Sequence, residues 1–551
     1  MAALKRAGGV LAGLAIVAAA AACGGSTTPA SEQSADAQPV SGGVLKVALN
    51  AWEPTKLDPQ SQGNSNDPLI FRPIFDTLFW QTEDGELEGL LAESADISDD
   101  GLTYTFHLRD GVTFHDGAEW TAEGLKLNFE HALDPATQAV LAGSYLAPYQ
   151  SSEVIDDLTL EVTLSEPYSA FLSVLAQGYL GIISPQQLAE APETVAENPI
   201  GSGPFRFVSW TKGEKIVYER YDDYDWAPES GATHTGPAYL DGLEINFIAE
   251  DSVRYNALVA GDVDLIDWTP PQNAQSVRDS ENLEFVKFDR PGHPYALWLN
   301  ESNPPLDDVL VRKGVFAALD REAIVETVSF GEWEVADGFL VPSTPAYVEN
   351  TNAEFAYDVD QANEFLDEAG WTERDAEGYR VRDGRRLSLY FPTLGDVTQA
   401  NQIVELAQSQ LKAVGVEVVI EVLSDDQQQQ IVADGGHHLS AGIWTTNTAD
   451  VLFIKYHSSE ITTPERRGTN QTFTADAELD QLISQGRSTT DTEERAGLYA
   501  QAQERLTEIV PSIPLYYRPS LVSYHDYVHD IAFDRAYGNL WFYNTWKDAT
   551  G

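Results

Sequence analysis

The feature that most constrains this chain is its cysteine content: Cys23 is the only cysteine among 551 residues. A single thiol cannot form an intramolecular disulfide, so every folded part must be stabilised by packing. The composition allows this, because 43% of the residues are hydrophobic and 10% are aromatic. A chain of this length exceeds one ordinary domain and predicts two or three lobes, each with its own core.

The residues before Cys23 have the pattern of an export signal. Lys5 and Arg6 precede an apolar run over 10–22. This run is shorter than the roughly 20 residues that span a bilayer. A basic start, a short apolar run and small residues at its end are typical of a secretory signal peptide. We therefore expect a signal peptide over 1–22. Residues 23–42, rich in small and polar types, are expected to form a flexible linker.

The sequence around Cys23 resembles the bacterial lipobox. Ala20, Ala21 and Ala22 precede the cysteine and Gly24 follows it. The resemblance implies that a diacylglycerol is joined to the thiol and that the chain is cut just before it. Acyl chains contribute about 0.8 kcal/mol per buried methylene, so this lipid would anchor the protein to the cell membrane. The alternative is an ordinary signal peptide with an incidental cysteine.

The charge excludes one class of partner. The net charge is −54 at pH 7, with 87 acidic and 33 basic side chains. Nucleic-acid binding needs clustered Lys and Arg to neutralise phosphates, so we expect no nucleic-acid partner. The acids are spread along the whole chain, which favours a solvated acidic surface. The alternative is a field that attracts cationic ligands.

Strand and helix patterns alternate along the body of the chain, which predicts an α/β fold. Residues 102–108 alternate apolar and polar side chains and predict a half-buried strand. Thr121 is positioned to cap a helix whose apolar side includes Leu125, Phe129 and Leu133. Apolar residues three and four apart predict another helix over 67–80.

No set of side chains is spaced for zinc or nickel. His107 and His115 are expected on a polar, turn-adjacent face. The adjacent pair His437 and His438 is expected on a solvated loop. We therefore predict neither a metal nor a cofactor.

The order of motifs from residue 43 to the C-terminus resembles the family 5 extracellular solute-binding proteins of ATP-driven (ABC) importers. That family includes dipeptide-, oligopeptide- and nickel-binding proteins. The stretches that carry the resemblance are "GGVLKVAL", "LAES", "YTFHLRDGVTFHDG", "PIGSGPF", "LVAGDVDLI", "LWLNESNPPLDDVLVRKGVFAALDREAIV", "FLDEAGW" and "IVPSIPLYY". Together they span almost all of the chain after residue 42.

The resemblance implies a three-lobed periplasmic-binding-protein-like fold, in which two α/β lobes close on each other about a hinge and an extra α/β lobe packs beside the first. Transferred to this sequence, the hinge would lie near 291–297 and 506–515. The expected lobes are lobe I over 43–81, 204–293 and 505–551, extra lobe II over 82–203, and lobe III over 294–504.

The implied function is capture of a peptide-like ligand between lobes I and III, followed by delivery to ABC permease and ATPase subunits. The protein would be a monomer outside the cytoplasm, anchored to the membrane through Cys23, and not an enzyme. One alternative is a binding protein for an oligosaccharide or another non-peptide solute. Others are a lipoprotein hydrolase, for which no Gly-x-Ser-x-Gly or His-Glu-x-x-His motif is found, and a sensor or adhesin.

The resemblance also indicates candidate ligand-binding residues. In dipeptide binders of the family, a lobe III loop carries an aspartate that receives the ligand's amino terminus. Here Trp444 of that loop is kept and Asn447 stands at the aspartate position. The alternatives are that Asp450, three residues later, takes over the aspartate's role or that the ligand lacks a free amino group. A neutral amide pairs less strongly with an ammonium group, so we hypothesise that the ligand is not an ordinary dipeptide. Three further candidates are expected at the cleft: Trp52, Trp268 and, near the hinge, Tyr295.

Overall fold

The structure, a computed structural model, describes residues 38–50, 53–61, 67–351, 356–394, 398–464 and 466–549. The predicted signal peptide, Cys23 and most of the predicted linker lie outside the described residues, and so does Trp52. From Val40 onwards the chain packs as one compact unit.

The large sheet has seven strands, which come from three distant parts of the chain. Val44–Leu49 lies inside it, parallel to both of its neighbours, and its Leu45, Val47 and Leu49 side chains are fully buried. The other neighbouring pairs are antiparallel. In spatial order the strands are Leu283–Phe288, Ser520–His525, Leu265–Asp267, Val44–Leu49, Gly242–Phe247, Lys215–Arg220 and Phe205–Thr211.

A second, four-stranded sheet lies within residues 92–164 and shares a hydrophobic core with the large sheet. Its antiparallel strands are, in spatial order, Ala92–Ile97, Thr103–Leu108, Thr159–Leu164 and Tyr149–Asp156. The predicted strand is confirmed at Thr103–Leu108, where buried and half-buried residues alternate. The capped helix is confirmed at Ala122–Leu133, because the Gly124 amide donates to the Thr121 hydroxyl over 3.2 Å.

A third sheet, called here the hinge-side sheet, has a separate hydrophobic core. Its antiparallel strands are, in order, Glu334–Val335, Ser512–Tyr517, Gly292–Leu299 and Leu439–Thr445. Packed in the same core is a parallel pair, Ser388–Leu394 with Glu417–Leu423. These sheets and their helices confirm the predicted α/β class.

Helices alternate with the strands along the chain. Their bounds are Asp67–Phe71, Ala122–Leu133, Val140–Tyr145, Phe171–Val174, Pro185–Glu190, Asp251–Ala260, Pro271–Arg278, Val309–Ala317, Arg321–Ser329, Val359–Glu368, Thr398–Ala413, Asp425–Ala433, Val451–Tyr456, Ala477–Ser488 and Thr492–Ile509. Short strand pairs and hairpins complete the fold: Phe79–Gln81 with Leu87–Gly89, Glu373–Arg374 with Arg380–Arg382 and Arg385–Arg386, Val528–His529 with Trp546–Lys547, and Ala532–Asp534 with Asn539–Trp541.

The chain passes twice between the large sheet and the hinge-side sheet, each time within a few residues. The first passage, over 289–291, joins Leu283–Phe288 to Gly292–Leu299. The second, over 518–519, joins Ser512–Tyr517 to Ser520–His525. The second passage thus follows the stretch expected for the hinge. The division into three lobes, with the boundaries given above, stays a prediction.

The helix predicted over 67–80 is wrong beyond its first residues. The helix spans Asp67–Phe71, and the segment continues as turns into the strand Phe79–Gln81. Pro73 explains the early end, because proline disfavours helical geometry in the residue before it and lacks an amide hydrogen. The apolar residues of this segment are buried throughout, so their spacing reflected burial on several sides instead of one helical face.

Candidate functional site

The sequence-predicted residues lie in two groups, both near the passages between the sheets. Trp444, Asn447 and Asp450 are at and after the end of the strand Leu439–Thr445. This segment is held against the first passage, because the Thr446 amide donates to the Pro291 carbonyl over 3.2 Å. A Cβ atom at Gly292 would lie only 2.3 Å from the Trp444 carbonyl oxygen, so glycine is required for this approach.

Asn447 is buried and bonded to protein on both sides of its amide. Its Nδ2 donates to the Ser173 carbonyl over 2.8 Å. Its Oδ1 accepts from Gln177 Nε2, also over 2.8 Å, and the same Gln177 group donates to the Thr446 hydroxyl. An asparagine supplies both a donor and an acceptor here, which a carboxylate could not do. In this conformation Asn447 therefore connects the segment after residue 444 to residues 173–177.

Asp450 is also buried against protein partners. Its Oδ2 accepts from the Tyr168 hydroxyl over 3.1 Å, and Arg487 Nε lies 3.7 Å from its Oδ1. Burial raises the pKa of the Asp450 carboxyl, and the Arg487 charge opposes that rise. The Arg487 guanidinium packs over the rings of Phe453 and Tyr168, at 3.9 and 4.5 Å. A ligand role for Asn447 or Asp450 stays a prediction.

Trp444 takes part in a cationic contact that the sequence did not indicate. The Lys455 ammonium lies 3.7 Å from the centre of the Trp298 ring and 5.2 Å from that of Trp444. It donates to the Thr469 carbonyl over 3.3 Å. Burial lowers the pKa of Lys455 to about 7. The electron-rich indole faces favour the charged ammonium form, so they oppose the lowering of the Lys455 pKa by burial.

His293 lies next to this contact and is neutral. Its Nδ1 donates to the Pro294 carbonyl and its Nε2 accepts from the Tyr456 hydroxyl, which bonds Ser512. Burial, followed by the Lys455 charge, lowers the pKa of His293 to about 3. Lys455 is therefore the group of this pair that titrates near neutral pH.

Trp268 lies in the second group, immediately after the strand Leu265–Asp267. Its backbone is left-handed, with φ of 61°, a conformation that is rare for a bulky side chain. Arg254 holds the loop by donating to the Trp268 carbonyl over 2.9 Å. The Trp268 amide donates to Asp267 Oδ1 over 2.8 Å. The indole itself is half-buried, and the Arg518 guanidinium stacks over it at 3.9 Å.

Tyr295 belongs to an aromatic stack at the start of the hinge-side sheet. Its ring centre is 4.8 Å from that of Tyr516, with 15° between the planes. Trp333 stacks on Tyr516 at 4.4 Å and 12°. Burial raises the pKa of Tyr295 to about 12, and the Arg518 charge opposes this rise. Tyr295 and Trp268 are therefore both neighbours of Arg518, a residue that the sequence analysis missed.

The expected placement of His437 on a solvated loop is wrong. His437 is fully buried, and its Nε2 donates to the Gln471 carbonyl over 2.9 Å, so it does not lie on a solvated loop. The hydrogen bond lets a neutral imidazole be buried there, and burial lowers the pKa of His437 to about 4. In the part of the chain that the structure describes, no three His, Cys, Asp or Glu side chains are grouped to hold a metal ion.

Two separate sheets joined by two short passages, with aromatic and cationic side chains beside them, are the arrangement expected of a two-part binding protein. The family of bacterial extracellular solute-binding proteins, family 5 (middle region), matches residues 86–459, more than half of the chain. The chain belongs to this family. It is a solute-binding protein of an ABC importer that acts outside the cytoplasm and is not an enzyme. Among the described residues, none of the helices has the length and apolar character needed to cross a membrane.

Relatives match along most of their lengths. The glutathione-binding protein GsiB of Escherichia coli O1:K1 / APEC is 27% identical over 479 residues, which are 86% of this chain and 88% of GsiB. The ABC transporter-associated periplasmic binding protein DppA of Helicobacter pylori, solved with the peptide STSA, is 25% identical with a TM-score of 0.76, covering 92% of this chain and 99% of DppA. The oligopeptide-binding protein AppA of Bacillus subtilis, solved with a nonapeptide, shares the fold at 24% identity and a TM-score of 0.78, covering 93% and 100%.

Replacing Asn447 by aspartate tests the buried amide network. The carboxylate of Asn447→Asp cannot donate to the Ser173 carbonyl and would face that oxygen instead. We expect the free energy of unfolding to fall by about 1–3 kcal/mol, measured by urea denaturation. Asn282→Asp is the matched control, because Asn282 is exposed and its side chain only accepts, from Ser280. Equal stability of both variants would contradict the network.

Because burial lowers the pKa of Lys455, we expect this residue to make the free energy of unfolding depend on pH. Its pKa is about 7 in the folded protein and about 10 in an unfolded chain, so the folded state binds fewer protons between these values. Stability contributed by this group therefore rises with pH across that window and is constant below it. The free energy of unfolding is measured by chemical denaturation. Between pH 7 and 10, the value for the wild type should rise, relative to that for Lys455→Met, by up to about 1.4 kcal/mol per pH unit.

Lys212→Met is the matched control for this pH series. The Lys212 ammonium also lies over a tryptophan, Trp210, at 4.6 Å, but its side chain is largely exposed. Its variant should follow the wild-type profile. A Lys455→Met profile parallel to that of the wild type would show that burial does not lower the pKa of Lys455.

Proposed function

We propose that this protein captures a peptide-like ligand between two lobes and delivers it to the permease of an ABC importer. The observation that carries the ligand class is the match to GsiB, a glutathione-binding protein, over 86% of the chain. The H. pylori relative solved with a peptide supports the same class. Glutathione and peptides share amide groups and free carboxylates, so a peptide-like ligand is defined here by these two groups.

Ligand capture would use a hinge at the two passages between the sheets. Two short, adjacent connections allow the parts on either side to rotate while each keeps its own core. Trp268 and Tyr295 lie at the passages, Trp444 lies on the strand beside the first one, and Trp52 follows the strand Val44–Leu49 in sequence. In this proposal these aromatic side chains contact the ligand and exclude water from it.

Closure needs no chemical step in this protein. A ligand favours the closed state only to the extent that it binds that state more tightly than the open one. The closed, loaded form then docks on the permease as a monomer, and the ATPase subunits supply the energy for import. Asn447, where dipeptide binders carry aspartate, supports a ligand other than an ordinary dipeptide.

Membrane attachment through Cys23 is the second part of the proposal. The apolar run over 10–22, the alanines before Cys23 and the polar stretch after it support a lipidated N-terminus on a flexible tether. Such an anchor keeps a binding protein close to its permease. The tether lets the folded unit reach the permease and still sample its surroundings.

The ligand class is tested by thermal unfolding of the purified protein against glutathione, peptides of two to nine residues, oligosaccharides, amines and nickel. A ligand present at about 100 times its dissociation constant stabilises the native state by roughly 2.7 kcal/mol, which gives a clear shift. We expect shifts with glutathione or longer peptides and none with simple dipeptides. A shift with oligosaccharides alone would replace the peptide proposal by carbohydrate uptake.

The anchor is tested by replacing its thiol. Wild-type protein made in a bacterium should incorporate radiolabelled fatty acid and sediment with membranes until detergent is added. Cys23→Ala should lose the label and appear in the soluble extracytoplasmic fraction, with the same thermal unfolding as the wild type. An unlabelled wild type, or a variant that stays with the membrane, would exclude the lipid anchor.

A further inference from the structure

Arg518 is a charged side chain in the second passage, and no described residue accepts a hydrogen bond from it. Residues 511–517 and 519–523 are buried, whereas Arg518 between them is only half-buried. Its guanidinium forms no hydrogen bond or ion pair with any residue that the structure describes. The fully buried Arg72, in contrast, donates to Asp534, Thr77 and the Ala176 carbonyl.

The contact with Trp268 fixes the position of the Arg518 guanidinium but leaves its donors available. The guanidinium carbon lies 3.9 Å from the centre of the indole ring. Stacking on an aromatic ring uses the flat face of a guanidinium, while its N–H groups point outward along the edges. Trp268 is itself held in a left-handed backbone conformation with φ of 61°. Such strain is found where a site needs one side chain in one place.

Arg518 lies near other guanidinium groups and one buried carboxyl. Arg290, in the first passage, lies 5.6 Å from the same indole ring. Asp267 is the buried carboxyl beside them; burial raises its pKa, and the charges of Arg290 and Arg518 act against that rise. Burial lowers the pKa of Arg518 to about 10, so the group remains charged at neutral pH. The guanidinium groups of Arg290, Arg254 and Arg518 thus lie near the one carboxyl of Asp267, in a chain whose net charge is −54.

Lys455 does not offer a comparable site, although it too lies over tryptophan rings. It is almost completely buried and already donates to the Thr469 carbonyl. Arg487, the other cation packed on aromatic rings near the candidate residues, lies beside the carboxylate of Asp450. Arg518 is distinguished from both by its partial exposure and its unused donors.

We infer that Arg518, stacked on Trp268, receives a carboxylate group of the bound ligand. The guanidinium edge matches the two oxygens of a carboxylate, and the half-buried indole can pack against the adjoining carbon atoms. Tyr295, whose stack with Tyr516 lies near Arg518, closes one side of this subsite. The inference rests on the proposed function, and it selects ligands that carry a free carboxylate.

The test compares ligands that differ in a single carboxylate, using isothermal calorimetry on the purified protein. The probe pairs are glutathione and its glycine amide, a tripeptide and its C-terminal amide, and a glucuronate-containing oligosaccharide and its methyl ester. Wild-type protein should bind the acid of the active pair about 10- to 100-fold more tightly than the neutral form, as expected for a hydrogen-bonded charge pair.

Three variants separate binding from folding. Arg518→Met should bind acid and neutral forms equally, at about the wild-type affinity for the neutral form, and should unfold at or above the wild-type temperature. Arg518→Lys should recover part of the preference, because it restores the charge but not the bidentate geometry. Arg382→Met is the control: Arg382 also stacks on a tryptophan, Trp371, at 4.6 Å, but outside the candidate site. It should keep the full preference.

The outcomes distinguish this inference from the ligand proposal. Equal binding of acid and neutral peptides by the wild type, or an acid preference that survives in Arg518→Met, overturns the carboxylate subsite and leaves the peptide proposal standing. Binding of oligosaccharides without peptides overturns the peptide proposal, and the glucuronate pair then decides the subsite. Absence of any binding overturns both.

Discussion

The structure depends on one constraint. The strand by which the chain leaves the large sheet and the strand by which it returns are neighbours in that sheet. Leu283–Phe288 and Ser520–His525 are paired in the large sheet, and their continuations Gly292–Leu299 and Ser512–Tyr517 are paired in the hinge-side sheet. The two passages must therefore run side by side. This pairing brings residues far apart in sequence, such as Arg290 and Arg518, to the same indole ring. The proposed hinge and the proposed binding site therefore coincide because of one strand topology.

Buried polar bonds across the molecule determine how costly it is to separate its parts. Gln177 bonds Thr446 and Asn447, and Tyr168 bonds Asp450. A hinge motion that parts these residues would exchange each bond for water at small net cost, about 1 kcal/mol apiece. Interactions of this size hold a conformation without locking it, so a ligand with a few kcal/mol of differential affinity can shift the population.

Local signals made some of the fold predictable. The strand Thr103–Leu108 and the helix after Thr121 follow from alternation and from a capping hydroxyl, which act within a few residues. The helix over 67–80 was mispredicted because its apolar residues are buried on several sides, where spacing no longer reports one face. Trp268 was chosen as a candidate through the family resemblance, and its role stays a prediction. Arg518 was missed because its importance arises from packing against a residue 250 positions earlier, and no local pattern records that contact.

In a chain with so many acidic side chains, a half-buried cation without a carboxylate partner needs an explanation. Three buried cations among the described residues have an evident partner: Asp534 for Arg72, Asp450 for Arg487, and a carbonyl with two indole faces for Lys455. Burying a charge without such partners costs free energy. If Arg518 served stability alone, an uncharged side chain in its place would therefore lower the free energy of unfolding little. The charge at the passage is therefore better explained by a partner that arrives from solution. Trp268 follows a strand of the large sheet and Tyr295 lies on the hinge-side sheet, so a carboxylate-bearing ligand at Arg518 would have neighbours on both sides of the passages.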